Sequence, residues 1–287
     1  MVEHSKIETP VTDPEKKSDP QPHQAHVYRW YIHLQAMAAE RFHHPAPDNL
    51  AGRLVLCSGF GRQGAEMALA TTIAGGAFLG VDPSAENLKA AVRNGSCDFM
   101  VNTLDESLRV LKNELRKQTP LAVGLLGSPA DIFPDIIERG LQPDLMADNS
   151  PQEGDTLAAF PRQAMLQLME RGAAVIDKQP AKPSQEFPLL QIVWTTGEMA
   201  DSKTLDAIAL ALLPPQDQVR RRWLHQASVC FRRQLPLQRV LGLHPDQITR
   251  LLSAFQEAAA SGKIHAVASV QWQSPDGVEQ QITLQPC

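Results

Sequence analysis

Three glycines and one acid are the residues whose types and spacing could do chemistry. Gly59, Gly61 and Gly64 stand at the spacing G-x-G-x-x-G within SGFGRQG, the apolar run LVLCS precedes them, and Asp82 closes a second apolar run. In a strand–turn–helix–strand unit these positions have separate tasks. Gly59 permits the tight turn out of the strand, and Gly61 removes a Cβ that would block a pyrophosphate. Gly64 lets the helix lie close to the sheet, and Asp82, roughly 20 residues on, is placed to accept ribose hydroxyls. A helix starting near Gln63 would aim its free N–H groups at phosphate, attracting an anion without a lysine. Phe60, Arg62 and Gln63 fill the rest of the loop and join the candidate nucleotide-binding residues. The alternative is a glycine-rich strand-to-helix turn with no ligand, and only its surroundings separate the two.

Composition narrows the classes. At 287 residues the chain can build one large or two modest domains. A hydrophobic fraction of 43% is ordinary for a globular protein. The net charge of −5 and pI near 6.0 argue against a nucleic-acid binder, which needs a basic face. No apolar run approaches the roughly 20 residues of a membrane span, and the first residues lack the apolar segment of a secretory signal. Cys57, Cys97, Cys230 and Cys287 show neither metal nor disulfide spacing, so core thiols in a reducing cytoplasm are expected. His43-His44 has no further ligand at suitable spacing, and no metal site is expected.

The chain then divides into elements that must position the glycine loop. Residues 1–24 are polar and proline-bearing and are expected to be a disordered tail, with a helical lead-in over 25–50. Residues 51–177 alternate apolar runs with helical patterns, which predicts a doubly wound parallel sheet. Helices are expected over Pro83 to Asn94, over Thr103 to Lys117 behind a Thr103/Glu106 capping box, and over Pro161 to Arg171. Strands are expected at LAVGLLG (121–127), PDLMADNS (143–150) and AAVID (173–177). Gly127-Ser128 and Asp148-Asn149 should then meet Asp82 at one carboxyl edge, where such sheets bind ligands. Residues 178–188, with three prolines, read as a linker, and 189–287 as a smaller α/β unit that ends in a hairpin around Ser274-Pro275-Asp276-Gly277. Arg220-Arg221-Arg222 reads as a solvated helix face.

The run CSGFGRQGAEMALATTIAGG resembles the nucleotide-binding segment of urocanases (urocanate hydratases), whose sequence there is of the TGGLGGMGGAQP type. The likeness continues through LGVDPSAENLKAA, TLDESLR and AVGLLGSPADIFPDIIERGLQPDLMAD, then resumes with VWTTGEMADSKTLDAIALALLP, RRRWLHQASVC, LQRVLGL and AFQEAAASGKIHA. It implies a Rossmann-like domain carried on a smaller core, tightly held NAD and a homodimer. In the family NAD+ acts as an electrophile toward the imidazole-propenoate substrate, so the cofactor is an electron sink.

Carried over by position, the match is uneven. Gly59, Gly61, Gly64, Gly75 and Gly76 stand on family glycines, Asp82 stands for a ribose-holding glutamate, and Asp148 opens the family's DQTSAH motif. The family's Gly-Met of the pyrophosphate loop is Arg62-Gln63 here, where an arginine could pair a phosphate or fill the site. Its Asn-Ala is Ser128-Pro129, the rest of DQTSAH is Asn149 to Glu153 without histidine, and its GYVP tyrosine is Ala159. The cysteine of the family's ICWLG is Leu241, and its GRDHLD is QWQSPD over 271–276. The sequence reads as a shortened, degenerate member, lacking most of the family's N-terminal core and the segment after GRDHLD.

Three functions follow from this. The first is a urocanase-like protein that keeps a dinucleotide site without full hydratase chemistry. The second is an active urocanate hydratase or related NAD-dependent lyase of histidine catabolism, and the third a structural or regulatory module with a dead site. A hydride-transferring oxidoreductase would need a relay His or Tyr near the strand ends, and the tyrosines, Tyr28 and Tyr31, lie elsewhere.

Overall fold

The computed structural model describes residues 23–42, 49–149, 159–176, 189–194, 199–231, 238–242, 245–265, 268–273 and 279–284. The tail over 1–22, His43-His44, the linker and the hairpin turn lie outside them.

The glycine loop follows β1 (Leu54–Ser58), the central strand of a six-stranded parallel sheet. Its companions are β2 (Ala77–Asp82), β3 (Phe99–Val101), β4 (Leu121–Leu126), β5 (Leu145–Asp148) and β6 (Ala174–Val175), in the order β3-β4-β2-β1-β5-β6. Between them run α2 (Arg62–Ile73), α3 (Ala85–Asn94), α4 (Leu104–Lys117), α5 (Pro129–Glu138) and α6 (Ala159–Glu170). Alternate residues of a strand face opposite ways, so each strand supplies two cores. Val55, Cys57 and Phe78 join the helices α2 and α3, whereas Leu54, Leu56, Leu79 and Val81 join α4, α5 and α6. Burial on both faces explains why these strands read as continuous apolar runs rather than alternating ones. From β1 the chain winds first toward β2 and later returns to β5 on β1's other side, so the crevice between the carboxyl ends of β1 and β5 is the switch point of the sheet.

Local signals set the helix ends. Ser84 caps α3 through Asn87 N, leaving Pro83 outside the helix instead of in its first turn. Thr103 caps α4 through Glu106 N, and Ser128 caps α5 with Pro129 in its first turn. The strands also differ from expectation. The apolar run expected as a strand at 173–177 pairs only over β6, and β3, a half-buried three-residue strand, was not expected at all.

The second half builds a four-stranded antiparallel sheet, β10-β9-β7-β8, from β7 (Leu189–Trp194), β8 (Gln238–Gly242), β9 (Ala268–Gln273) and β10 (Glu279–Leu284). It carries α7 (Met199–Leu212), α8 (Gln218–Cys230) and α9 (Pro245–Ala260). The first helix, α1 (Gln24–Phe42), joins this half to the parallel sheet. Its Tyr28 and Tyr31 rings lie 4.9 and 5.7 Å from that of Trp223 on α8, and Tyr31 Oη donates to Val219 O at 2.8 Å. One buried cluster therefore runs from Val55 and Phe78 through α1 to Trp223, Val240 and Phe255.

The arginine run on α8 is not simply a solvated face. Arg220 pairs with Asp217, and Arg221 donates to Leu210 O and Leu213 O at the end of α7. Arg222 donates to Ile73 O, the last residue of α2. Two of the three thus satisfy carbonyls at helix C-termini, where a cation is favoured. Among the described residues no helix is long and apolar enough to cross a membrane.

Candidate nucleotide site

The turn out of β1 is built as the glycine spacing requires. Gly59 sits at φ +84°, a region other residues rarely adopt, and its N–H donates to Val81 O at 2.7 Å. A Cβ on Gly64 would lie 2.3 Å from Gly59 O, so only glycine lets α2 start this close to the strand. Gly61 is the N-cap of α2 and provides no side-chain cap, and a Cβ there would meet nothing within 4 Å. The first turn of α2 thus has no side-chain cap, and the space beside Gly61 is open; free N–H groups at a helix N-terminus are what holds a phosphate. Nothing in the open space beside Gly61 conflicts with a pyrophosphate there.

Phe60 and Asp82 are committed inward. The Phe60 ring is buried edge-on to Phe78 at 5.4 Å and lies over Gly80, where a Cβ would approach it to 2.3 Å. Asp82 is only 3% exposed. One carboxylate oxygen accepts from Phe60 N at 2.5 Å and the other from Ser84 N at 2.7 Å, with Asn87 Nδ2 at 3.2 and 3.4 Å. The acid expected to hold a ribose ties the loop to the end of β2, and a ribose would have to share it.

The remaining predicted residues do gather at the same edge. Gly127 N donates to Asp82 O at 3.1 Å, and the Ser128 hydroxyl accepts from Ala130 N at 3.2 Å as the cap of α5. Asn149 N donates to Ser58 O at 2.8 Å, and the Ser58 hydroxyl donates to Asp148 Oδ1 at 2.5 Å across the switch point. Ser58 was not anticipated from the sequence. It ends an apolar run, and nothing local distinguishes it. Cys57 beneath accepts from Asn149 Nδ2 at 3.3 Å, and complete burial pushes its thiol up to about 12, which favours the protonated form.

Arg62 and Gln63 are exposed at the mouth of the loop. Arg62 does not fill the site. Its side chain is 56% exposed, and its Nε donates to Glu66 Oε1 at 3.4 Å one turn along α2. Glu66, 2% exposed, also accepts on that oxygen from His23 N at 3.2 Å and His26 Nδ1 at 3.3 Å. The His23 ring lies 4.8 Å from that of His26, and burial lowers its pKa below the ordinary histidine value. Glu66 lies beside the loop and was not singled out in the sequence, although an acid four residues after an arginine on one helix face was a legible signal. No group of three or more His, Cys, Asp and Glu suited to a metal ion occurs among the described residues.

Among solved structures, PKMT2 from Rickettsia typhi in complex with AdoHcy is similar at 12% identity and a TM-score of 0.27, over 72% of this chain and 33% of that one. The chain spans about a third of that structure, a likeness too slight to carry chemistry. The family comparison is specific: residues 30–170, which hold the glycine loop and β1 to β5, match the urocanase Rossmann-like domain, so this part of the chain is a urocanase-type Rossmann-like domain.

Proposed function

We propose that this protein binds a dinucleotide of the NAD type at the Gly59–Gly64 loop of its urocanase-type domain and does not carry out full urocanate hydration. The supporting observation is the N-terminus of α2, which has no side-chain cap and starts at Gly61, where an added Cβ would meet nothing within 4 Å. The α2 N–H groups and Arg62 would hold the pyrophosphate, with Asp148 and Asn149 at the crevice and Asp82 at the ribose end. A bound NAD would supply an electron sink. What this chain's residues lack is the rest of the family's apparatus. By the resemblance, Leu241 on β8 stands at the position of the family's cysteine and can neither ionise nor donate a hydrogen bond, and QWQSPD replaces GRDHLD.

A second reading, a structural or regulatory module with a dead ligand site, draws support from Asp82, whose two oxygens are already engaged by Phe60 N and Ser84 N. Melting curves with NAD+ and ADP separate the two. Ligand at about 100 times its dissociation constant adds roughly 2.7 kcal/mol of stability, visible as a shift of several degrees. No shift up to millimolar nucleotide, together with no nucleotide released from natively purified protein, would leave the dead module standing. Loss of urocanate absorbance on incubation with NAD+ would instead point to an active hydratase.

A further inference from the structure

Glu66 is a buried carboxylate, one turn inside a helix whose N-terminus is proposed to take an anion. A buried charge needs partners, and those of Glu66 come from two elements: Arg62 Nε on α2, and His23 N and His26 Nδ1 at the start of α1. We propose that Arg62 clamps the diphosphate of the bound nucleotide and that Glu66 is the positioning residue that aims it. This rests on the nucleotide reading of the loop.

The geometry carries it as follows. Arg62 is the first residue of α2, beside the uncapped N–H groups, and only its Nε is engaged by a described residue. The side chain is 56% exposed, and its two terminal nitrogens form a planar pair suited to two oxygens of a phosphate. Holding Nε against a fixed, buried acid limits where that pair can point. Without Glu66 the long side chain would sample many rotamers, and binding would have to order it. Glu66 and Arg62 also neutralise each other, so the buried acid does not repel the incoming phosphate. The urocanase pattern has Gly-Met at Arg62-Gln63, so this clamp is a property of this chain's own sequence.

The test is calorimetric titration of ADP, AMP and NAD+ into the full chain and into Arg62→Met, Arg62→Lys and Glu66→Gln. A clamp on the diphosphate predicts that the wild type prefers ADP to AMP and that Arg62→Met weakens ADP and NAD+ about tenfold or more, with the ADP-over-AMP preference falling toward one. Arg62→Lys, which keeps charge but not the fork, should fall between. Glu66→Gln, which retains an acceptor oxygen but not its charge, should lose part of the preference. Arg62→Met also takes one partner from buried Glu66, so the ligand-free melting curves are recorded for each variant, and the ADP-over-AMP ratio, which a general loss of stability would not change, is the readout. If the wild type binds ADP and Arg62→Met keeps its full preference over AMP, the clamp is wrong while the nucleotide site stands. If Arg62→Met loses the preference but Glu66→Gln keeps it, the positioning role is overturned. If the wild type binds none of the three up to millimolar concentration, the nucleotide reading fails and the clamp fails with it.

Discussion

The side-chain oxygen of Gln24 accepts a hydrogen bond from Val240 N at 2.6 Å, joining the first turn of α1 to the edge strand β8. On the same residue, Val240 O accepts from Trp223 Nε1 at 2.7 Å. An edge strand exposes backbone groups that other chains can pair with. Here β8 has β7 on one side and two buried side chains on the other. The same turn of α1 meets the nucleotide half, where His23 N and His26 reach Glu66. Residues 23–26 therefore tie the loop helix to the strand that bears Leu241.

Gln24→Ala should leave Val240 N–H buried without its acceptor. Such an orphan costs about 1–3 kcal/mol, so the unfolding midpoint should fall by several degrees. An unchanged midpoint would mean that the amide of Val240 finds another partner and that α1 does not guard this edge.

Asp82 makes a second stability prediction, independent of any ligand. Asp82→Ala removes the acceptors of Phe60 N and Ser84 N and should cost about 1–3 kcal/mol in the nucleotide-free protein. Asp82→Asn keeps one acceptor oxygen and should cost less. Loss of nucleotide binding in Asp82→Ala therefore counts as evidence of ribose contact only beside the nucleotide-free melting curves. Equal melting of variant and wild type would show that Asp82 is free to serve a ligand.

How far the sequence was legible depended on whether a feature is local. LVLCS, AFLGVD and LAVGLLG read as strands because burial on both faces makes them continuously apolar. Thr103 and Ser128 announce their helices because a cap acts within one turn. β3 escaped notice because three half-buried residues carry no period. α1 read as a lead-in, but its buried Tyr28, Tyr31 and Leu34 join the core shared with α8, and Gln24 and Val240 are linked only by the fold. Asp82 shows the limit most plainly: its position in sequence is the same whether the acid serves a ribose or its own loop.

The Arg239–Asp206 pair should be the most sensitive polar contact of the second half. Arg239 Nε reaches both Asp206 oxygens at 2.9 and 3.2 Å, with Arg239 nearly fully buried. Burial outweighs the guanidinium and holds the Asp206 carboxyl above its ordinary range. Arg239→Met leaves that carboxylate without its cation, which costs about 3–5 kcal/mol at neutral pH. The sign with pH follows from the raised folded value. The protonated acid is favoured in the fold, so the stability it contributes is present below the unfolded value of 3.8 and lost as pH rises through the folded one. The variant's deficit should therefore be largest near neutrality and shrink on acidification. A deficit that grows as pH falls would overturn this account.

The last prediction concerns catalysis: the chain should not hydrate urocanate at a measurable rate. Two substitutions read from the resemblance, outside the matched residues 30–170, motivate it: Leu241 where the family would have its cysteine, and QWQSPD where it would have GRDHLD. The loss of one polar group from a preorganised site typically removes about two to three orders of magnitude in rate. The two losses need not add, because groups that act as a unit fail together. For the same reason Leu241→Cys alone should restore nothing, since the groups replaced at 271–276 would still be missing. The measurement is urocanate absorbance over time with purified protein and added NAD+. Steady decay proportional to protein concentration, and abolished by Gly61→Val at the open mouth of the loop, would show that the protein is a working hydratase. Decay indifferent to Gly61→Val would be traced to a contaminating enzyme, because under the proposed reading a valine side chain there would stand where the pyrophosphate lies.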